Sequence, residues 1–233
     1  MLRLFVGWLV CQCIASLVLI LIRGHVAQDA VPSAGRTIVS AFCFQFVTIG
    51  LVWRFLHEHQ VGWAGGFGFR RDIPKAIGLG ALAVGLFLPI GSVIMGFTVT
   101  MMKKFGIEPS LQLAMQALKN SSSTTELVAL GIATIILAPI AEETLFRGVL
   151  YPAIKQYGFP RAALWGTSAL FGLIHFNLAA FVPLLLLALL LVWLYEKTDN
   201  LLAPIAAHAT FNAVNFAMQL LMDDVVRKLP TQP

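Results

Sequence analysis

Charge is scarce in this chain: 12% of its 233 residues are Asp, Glu, Lys or Arg, against 58% apolar. With a mean hydropathy of +0.84, that balance excludes a soluble globular domain and points to a polytopic membrane protein. Short alternating apolar and polar segments, which a membrane β-barrel would need, are also lacking. Backbone groups cannot go unpaired in hydrocarbon, so the long apolar runs must be helices. Only three cysteines occur, Cys11, Cys13 and Cys43, all in apolar segments, and they provide no disulfide framework. The glycine-rich GGFGF lacks the spacing of a phosphate loop, and no internal repeat or low-complexity tract is present. A net charge of +5 could suit nucleic acid, but the basic residues are scattered among helix ends; they read as membrane-flanking charges, and no nucleic-acid partner is expected.

What is present is a series of apolar runs at about 4–22, 37–55, 76–102, 125–150, 161–177, 179–197 and 201–222, predicting an all-α bundle of about seven membrane helices. The first run is longer than a signal-peptide core and lacks a small-residue cleavage site, so it reads as a retained helix. Basic residues divide almost evenly between the two sides, tipping toward a cytoplasmic N-terminus in an integral, multi-pass protein. Asp72 with Pro74 reads as a helix start, and Ser123 with Glu126 as a capping box. Leu111, Met115 and Leu118 predict a short amphipathic helix at the membrane surface.

The chemistry is confined to the later spans. The first three have no ionisable side chain in their interiors, whereas the later ones carry Glu142, Glu143, Arg147, His175 and His208, with Asn177, Asn212 and Asn215 nearby. Ionisable groups cost at least about 2.5–3.5 kcal/mol at the bilayer centre, so they face one another or a wet cavity. At about 100° per residue, Arg147 lies one turn from Glu143 on nearly the same face, predicting a bidentate bridge that acts as structural glue. Glu142 points elsewhere and must find partners on another helix. Pro139, one turn earlier, removes a backbone donor and loosens the helix. His175 follows Phe171 by one turn, as Asn212 follows His208. Glu142, His175, His208 and Asn212 could therefore form one polar centre able to take a proton from water and stabilise an oxyanion. Thr167, Ser168, Thr210 and Gln45 can bond back to their own helices and are assigned no role, and Phe171 is read as packing.

These residues resemble the CAAX-processing and bacteriocin-processing intramembrane proteases, the CPBP or Abi proteins, whose signature runs EExxxR, FxxxH, HxxxN. Here the motifs stand in order as Glu142-Glu143-x-x-x-Arg147, Phe171-x-x-x-His175 and His208-x-x-x-Asn212. The resemblance covers about residues 120–220 and implies a protease core at 121–222, preceded by motif-free helices over 1–120 and followed by a polar tail at 223–233. It implies Glu142 as the base that activates water, His175 as its partner and His208 with Asn212 as the oxyanion pair, with Glu143, Arg147 and Phe171 in support. Expected partners are membrane lipid and a peptide or membrane-protein substrate. Such proteins are often described as metalloproteases, and zinc on Glu142, His175 and His208 is possible. No HExxH or other short-range ligand pair supports it, and a metal-free site is favoured. Two other readings are a transporter or proton relay, which should show paired polar halves, and a catalytically silent scaffold.

Overall fold

A computed structural model of the chain describes residue 7 and residues 34–69, 72–121 and 123–228. Apart from residue 7, the expected first span, with Cys11 and Cys13, lies outside them. The described residues form helices joined by turns and short loops, with no strand among them: α1 (Ala34–Glu58), α2 (Trp63–Gly66), α3 (Ile73–Lys104), α4 (Leu113–Lys119) and α5 (Thr124–Gly131) lead into the polar half. There, π1 (Ile132–Leu137), α6 (Ala138–Leu145), π2 (Phe146–Leu150) and α7 (Tyr151–Gln156) continue α5 as one rod, followed by α8 (Pro160–Leu173), α9 (Leu178–Thr198) and α10 (Leu202–Lys228).

The fold is a helical membrane bundle. Apolar side chains at Leu82, Leu86, Ile90, Val93 and Phe97 recur every three or four residues along α3 and are exposed, the pattern of a lipid-facing stripe. Among the described residues, four stretches are long and apolar enough to cross a membrane: 34–58, 73–104, 124–156 and 178–198. The expected count of seven does not follow. At 14 residues, α8 rises only about 21 Å, short of a hydrocarbon core of about 30 Å. The 27-residue α10 is long enough, but His208, Asn212, Asn215, Gln219 and Asp223 dilute its apolarity.

Half of the most apolar window of α9 is buried, more than in the other three spans, so α9 is the central post. Leu184, Leu187, Leu191 and Leu194 join Val84 of α3, Phe146 of π2 and Phe171 of α8 in the main core. A smaller cluster joins Ala117 and Leu118 of α4 to Leu130 and Phe216. The short helix expected around Leu111–Leu118 is therefore present as Leu113–Lys119, but its inner face packs on protein, and Leu111 lies outside it and is exposed.

Helix starts follow expectation unevenly. Ser123 accepts from the Glu126 backbone N–H at 3.2 Å, the first half of a capping box. Asp72 occupies the cap position of α3 but makes no side-chain cap bond, because its backbone is left-handed (φ 35°).

Close packing of α3 on α10 depends on Gly80, where an added Cβ would collide with the carbonyl oxygen of Ala203, whereas a Cβ at Gly78 would meet open space. Gly80→Ala should cost about 1–3 kcal/mol through overpacking. Gly78→Ala should be neutral or up to about 1 kcal/mol stabilising through helix propensity. Thermal melts of the two variants in one detergent check the contrast.

Candidate active site

The polar centre is assembled from three helical segments. The middle rod contributes Glu142, Glu143 and Arg147; α8 ends just before His175; α10 supplies His208, while Asn212, one turn further along α10, is bonded to the Thr134 carbonyl of π1. The rod is more irregular than the sequence suggests, since Glu142 and Glu143 sit on an α-helical stretch with π-helical turns on both sides.

Pro139 accounts for part of this. In π1 the Ala138 N–H reaches back five residues to the carbonyl of Ala133. In the same register Thr134 would require the N–H of residue 139, and proline has none. The Asn212 side chain takes the vacancy, its Nδ2 donating to the Thr134 carbonyl at 2.8 Å. Gln45 Nε2, from α1, donates to the neighbouring Ala133 carbonyl at 2.9 Å.

Glu143 and Arg147 pair as their spacing predicts, with Nη1 2.9 Å from Oε1 and side chains 0% and 2% exposed. The expected bidentate geometry is absent. Nη2 of Arg147 instead donates to the Ala188 carbonyl of α9 at 3.0 Å, splitting the guanidinium fork between two helices. Glu143 Oε1 is shared, because His208 Nδ1 donates to it at 2.9 Å. Sequence reasoning missed this link, which depends on how α10 crosses the rod. Phe171 is fully buried beneath the assembly: its ring lies 4.7 Å from the Arg147 guanidinium carbon and 4.9 and 5.5 Å from the His175 and His208 rings.

Glu142 stands apart from this bridge. Its Oε2 lies 4.0 Å from Nε2 of both His175 and His208, too far for a direct hydrogen bond but close enough for one intervening water. Among the described residues that oxygen has no hydrogen-bond partner. The side chains of Glu142 and His175 are 14% and 21% exposed, while His208 is 3%, so the centre is approached from the Glu142–His175 side.

Both imidazoles are oriented from behind. His175 Nδ1 donates to the Phe171 carbonyl at 2.7 Å, as His208 Nδ1 does to Glu143. Each neutral ring therefore turns an Nε2 lone pair toward Glu142. The set can hold a water by its hydrogens and pass protons among three bases.

Zinc would fit such a donor set chemically. However, bonds of about 2.0–2.2 Å at tetrahedral angles put ligand atoms roughly 3.3–3.6 Å apart, closer than the 4.0 Å separations here. Among the described residues, no group of three His, Cys, Asp or Glu side chains is arranged to hold a metal ion.

Other polar residues fall outside the centre. Asn177 caps α9 through Ala180 N–H and ties down the Ser110 carbonyl at 2.7 Å, and Asn215 bonds back to Phe211. Thr167 bonds back to Ala163 as expected. Ser168 and Gln45 do not bond back to their helices: Ser168 Oγ is buried and unpartnered among the described residues, and Gln45 reaches across to π1.

Comparison with known proteins finds similarity over the same segment. Residues 124–214 match the model for type II CAAX prenyl endopeptidase Rce1-like proteins. Over 96 residues, the chain is 28% identical to the Lactococcus lactis UPF0177 protein YxdF, covering 41% of this chain and 52% of that one. It is 36% identical to the Bacillus subtilis "Uncharacterized protein YpbD" over 96 residues, 40% of this chain and 46% of the relative. A longer match, 26% identical over 159 residues and 64% of each chain, is to the Bacillus subtilis protein designated "Putative membrane peptidase YdiL". The chain thus spans less than two thirds of the length of these relatives. No solved structure matches.

The two adjacent glutamates should fail differently when neutralised. Glu143→Gln strands a buried guanidinium and should cost about 3–5 kcal/mol, as should Arg147→Ala, which strands the carboxylate. Glu142→Gln, whose Oε2 has no partner to lose, should melt within about 1 kcal/mol of wild type. Detergent melts of the three variants test this; a Glu142→Gln protein less stable than Glu143→Gln would reverse the division.

Proposed function

We propose that this integral membrane protein, whose residues 124–214 match the Rce1-like family model, is an endopeptidase that cleaves a membrane-associated peptide by Glu-activated, metal-free hydrolysis. The observation that carries the reading is the partnerless Glu142 oxygen between two inward-facing Nε2 atoms, 4.0 Å from each.

A water in that gap donates one hydrogen to Glu142 and the other to His175 Nε2. Glu142 accepts a proton as the water oxygen bonds to the scissile carbonyl carbon, and the carbonyl oxygen becomes an oxyanion. To act on that oxyanion, the neutral His208 ring first takes up a solvent proton at Nε2, with the Glu143 carboxylate behind Nδ1, and its Nε2–H then donates to the oxygen. Asn212 has a second amide hydrogen beyond the one bonded to Thr134, and this is its contribution to the same oxygen. Glu142 then returns its proton to the departing amine as the C–N bond breaks, leaving a carboxylate and a free amine. Substrates suited to a site built among apolar helices are peptides delivered by the membrane: a prenylated C-terminal tail, a leader peptide or a membrane-protein segment.

A silent scaffold would tolerate Glu142→Gln, and a proton relay would leave peptides intact. Purified protein should cleave a fluorogenic peptide with a farnesylated C-terminal tail or a bacteriocin-type leader peptide, and Glu142→Gln should lower kcat at least about 100-fold. Equal cleavage by that variant would sink the proposed role of Glu142.

Cleavage should also survive prolonged treatment with 1,10-phenanthroline. Loss of activity restored by added Zn²⁺ would overturn the metal-free mechanism while retaining the same three side chains as ligands.

A further inference from the structure

Gln45 lies on α1, in the half of the chain without a motif, and is 4% exposed. Its carboxamide reaches 88 residues along the chain to the Ala133 carbonyl, which also accepts the five-residue bond from Ala138. The next carbonyl, Thr134, is held by Asn212 from α10. Two consecutive carbonyls of one widened turn are therefore gripped by two carboxamides from two different helices. The amide orientation follows, since Oε1 turned toward Ala133 would face another acceptor. That oxygen is buried and has no partner among the described residues, so the side chain bears a desolvation cost that a leucine or methionine would avoid.

We infer that Gln45 is a positioning residue for the hydrolysis proposed above: by clamping Ala133 it holds π1, and π1 sets the rotation that aims Glu142 at the two histidines. A π turn carries an extra residue, and its collapse to α geometry would rotate everything downstream by about one residue step, roughly 100°. Glu142 begins only five residues after the last residue of π1. Such a slip would carry its carboxylate off the Nε2 pair. Gln45 touches no reacting atom; it acts through the rod, and through it the motif-free half of the chain takes part in shaping the site. The inference rests on the protease reading.

The test compares full-length wild type with Gln45→Met, which keeps volume but loses the donor, and with Val52→Ala, which opens a cavity at a fully buried core position on the same helix. Cleavage of the farnesylated and leader peptides is measured together with hydrogen exchange of backbone amides in 132–145. Gln45→Met should lower kcat by at least about tenfold with KM within about twofold, as expected when a catalytic group is displaced rather than binding lost. Exchange should quicken over 132–138. Val52→Ala should melt earlier yet keep kcat within about twofold of wild type, with exchange over 132–138 unchanged. Wild-type kcat in Gln45→Met, or an equal loss in Val52→Ala, would overturn the positioning role. Unchanged exchange over 132–138 in Gln45→Met would overturn the clamp whichever way cleavage goes. Wild-type protein that cleaves neither peptide would instead overturn the protease reading.

Discussion

A guanidinium with 2% of its side chain exposed, in a chain that crosses a lipid bilayer, must have its charge met inside the protein. Arg147 meets that requirement with one carboxylate oxygen on its own helix and one carbonyl on α9, and the same carboxylate oxygen holds His208 of α10. Three helices are thereby fixed around one buried charge pair. Phe171 closes the assembly from α8, lying against the guanidinium and both imidazoles. Removing either charge would leave its partner stranded where no water can replace it.

This arrangement gives identical side chains different chemistry. Glu143 takes two donors on Oε1, leaves Oε2 buried without a partner among the described residues, and is held completely out of solvent, so it is suited to orienting others. Glu142, one residue earlier, faces two lone pairs across a gap and has an oxygen without a partner. A carboxylate spared from the fold is available to take and return a proton. Its direction depends on the rod, and the rod depends on a π turn pinned by Asn212 and Gln45.

Much of this was legible in the sequence because it is local. The all-helical membrane bundle follows from composition, and the Glu143–Arg147 pair and the one-turn spacing of the histidine motifs follow from helix geometry. The longer-range features were not legible. Pro139 announces that some upstream carbonyl lacks a donor, but an α register would orphan Ile135 and a π register orphans Thr134, and only packing decides between them. Gln45 has the look of a residue that bonds to its own helix, and nothing near it in sequence reveals that Ala133 lies across from it. The splitting of the arginine fork likewise depends on Ala188, a carbonyl with no side-chain signature. The seven-span expectation is met by four spans among the described residues, since α8 is short, α10 is polar and the first expected span falls almost wholly outside them.

The account turns on the claim that Glu143 anchors His208 through Nδ1, leaving Nε2 to face Glu142. The most direct test is nitrogen NMR of ¹⁵N-histidine-labelled protein in detergent, with the His208 signal assigned by a His208→Gln variant. The account predicts that the neutral form of His208 carries its proton on Nδ1, and that Glu143→Gln disturbs that signal far more than Glu142→Gln does. A His208 ring protonated on Nε2 in its neutral form, or one indifferent to Glu143→Gln, would contradict it.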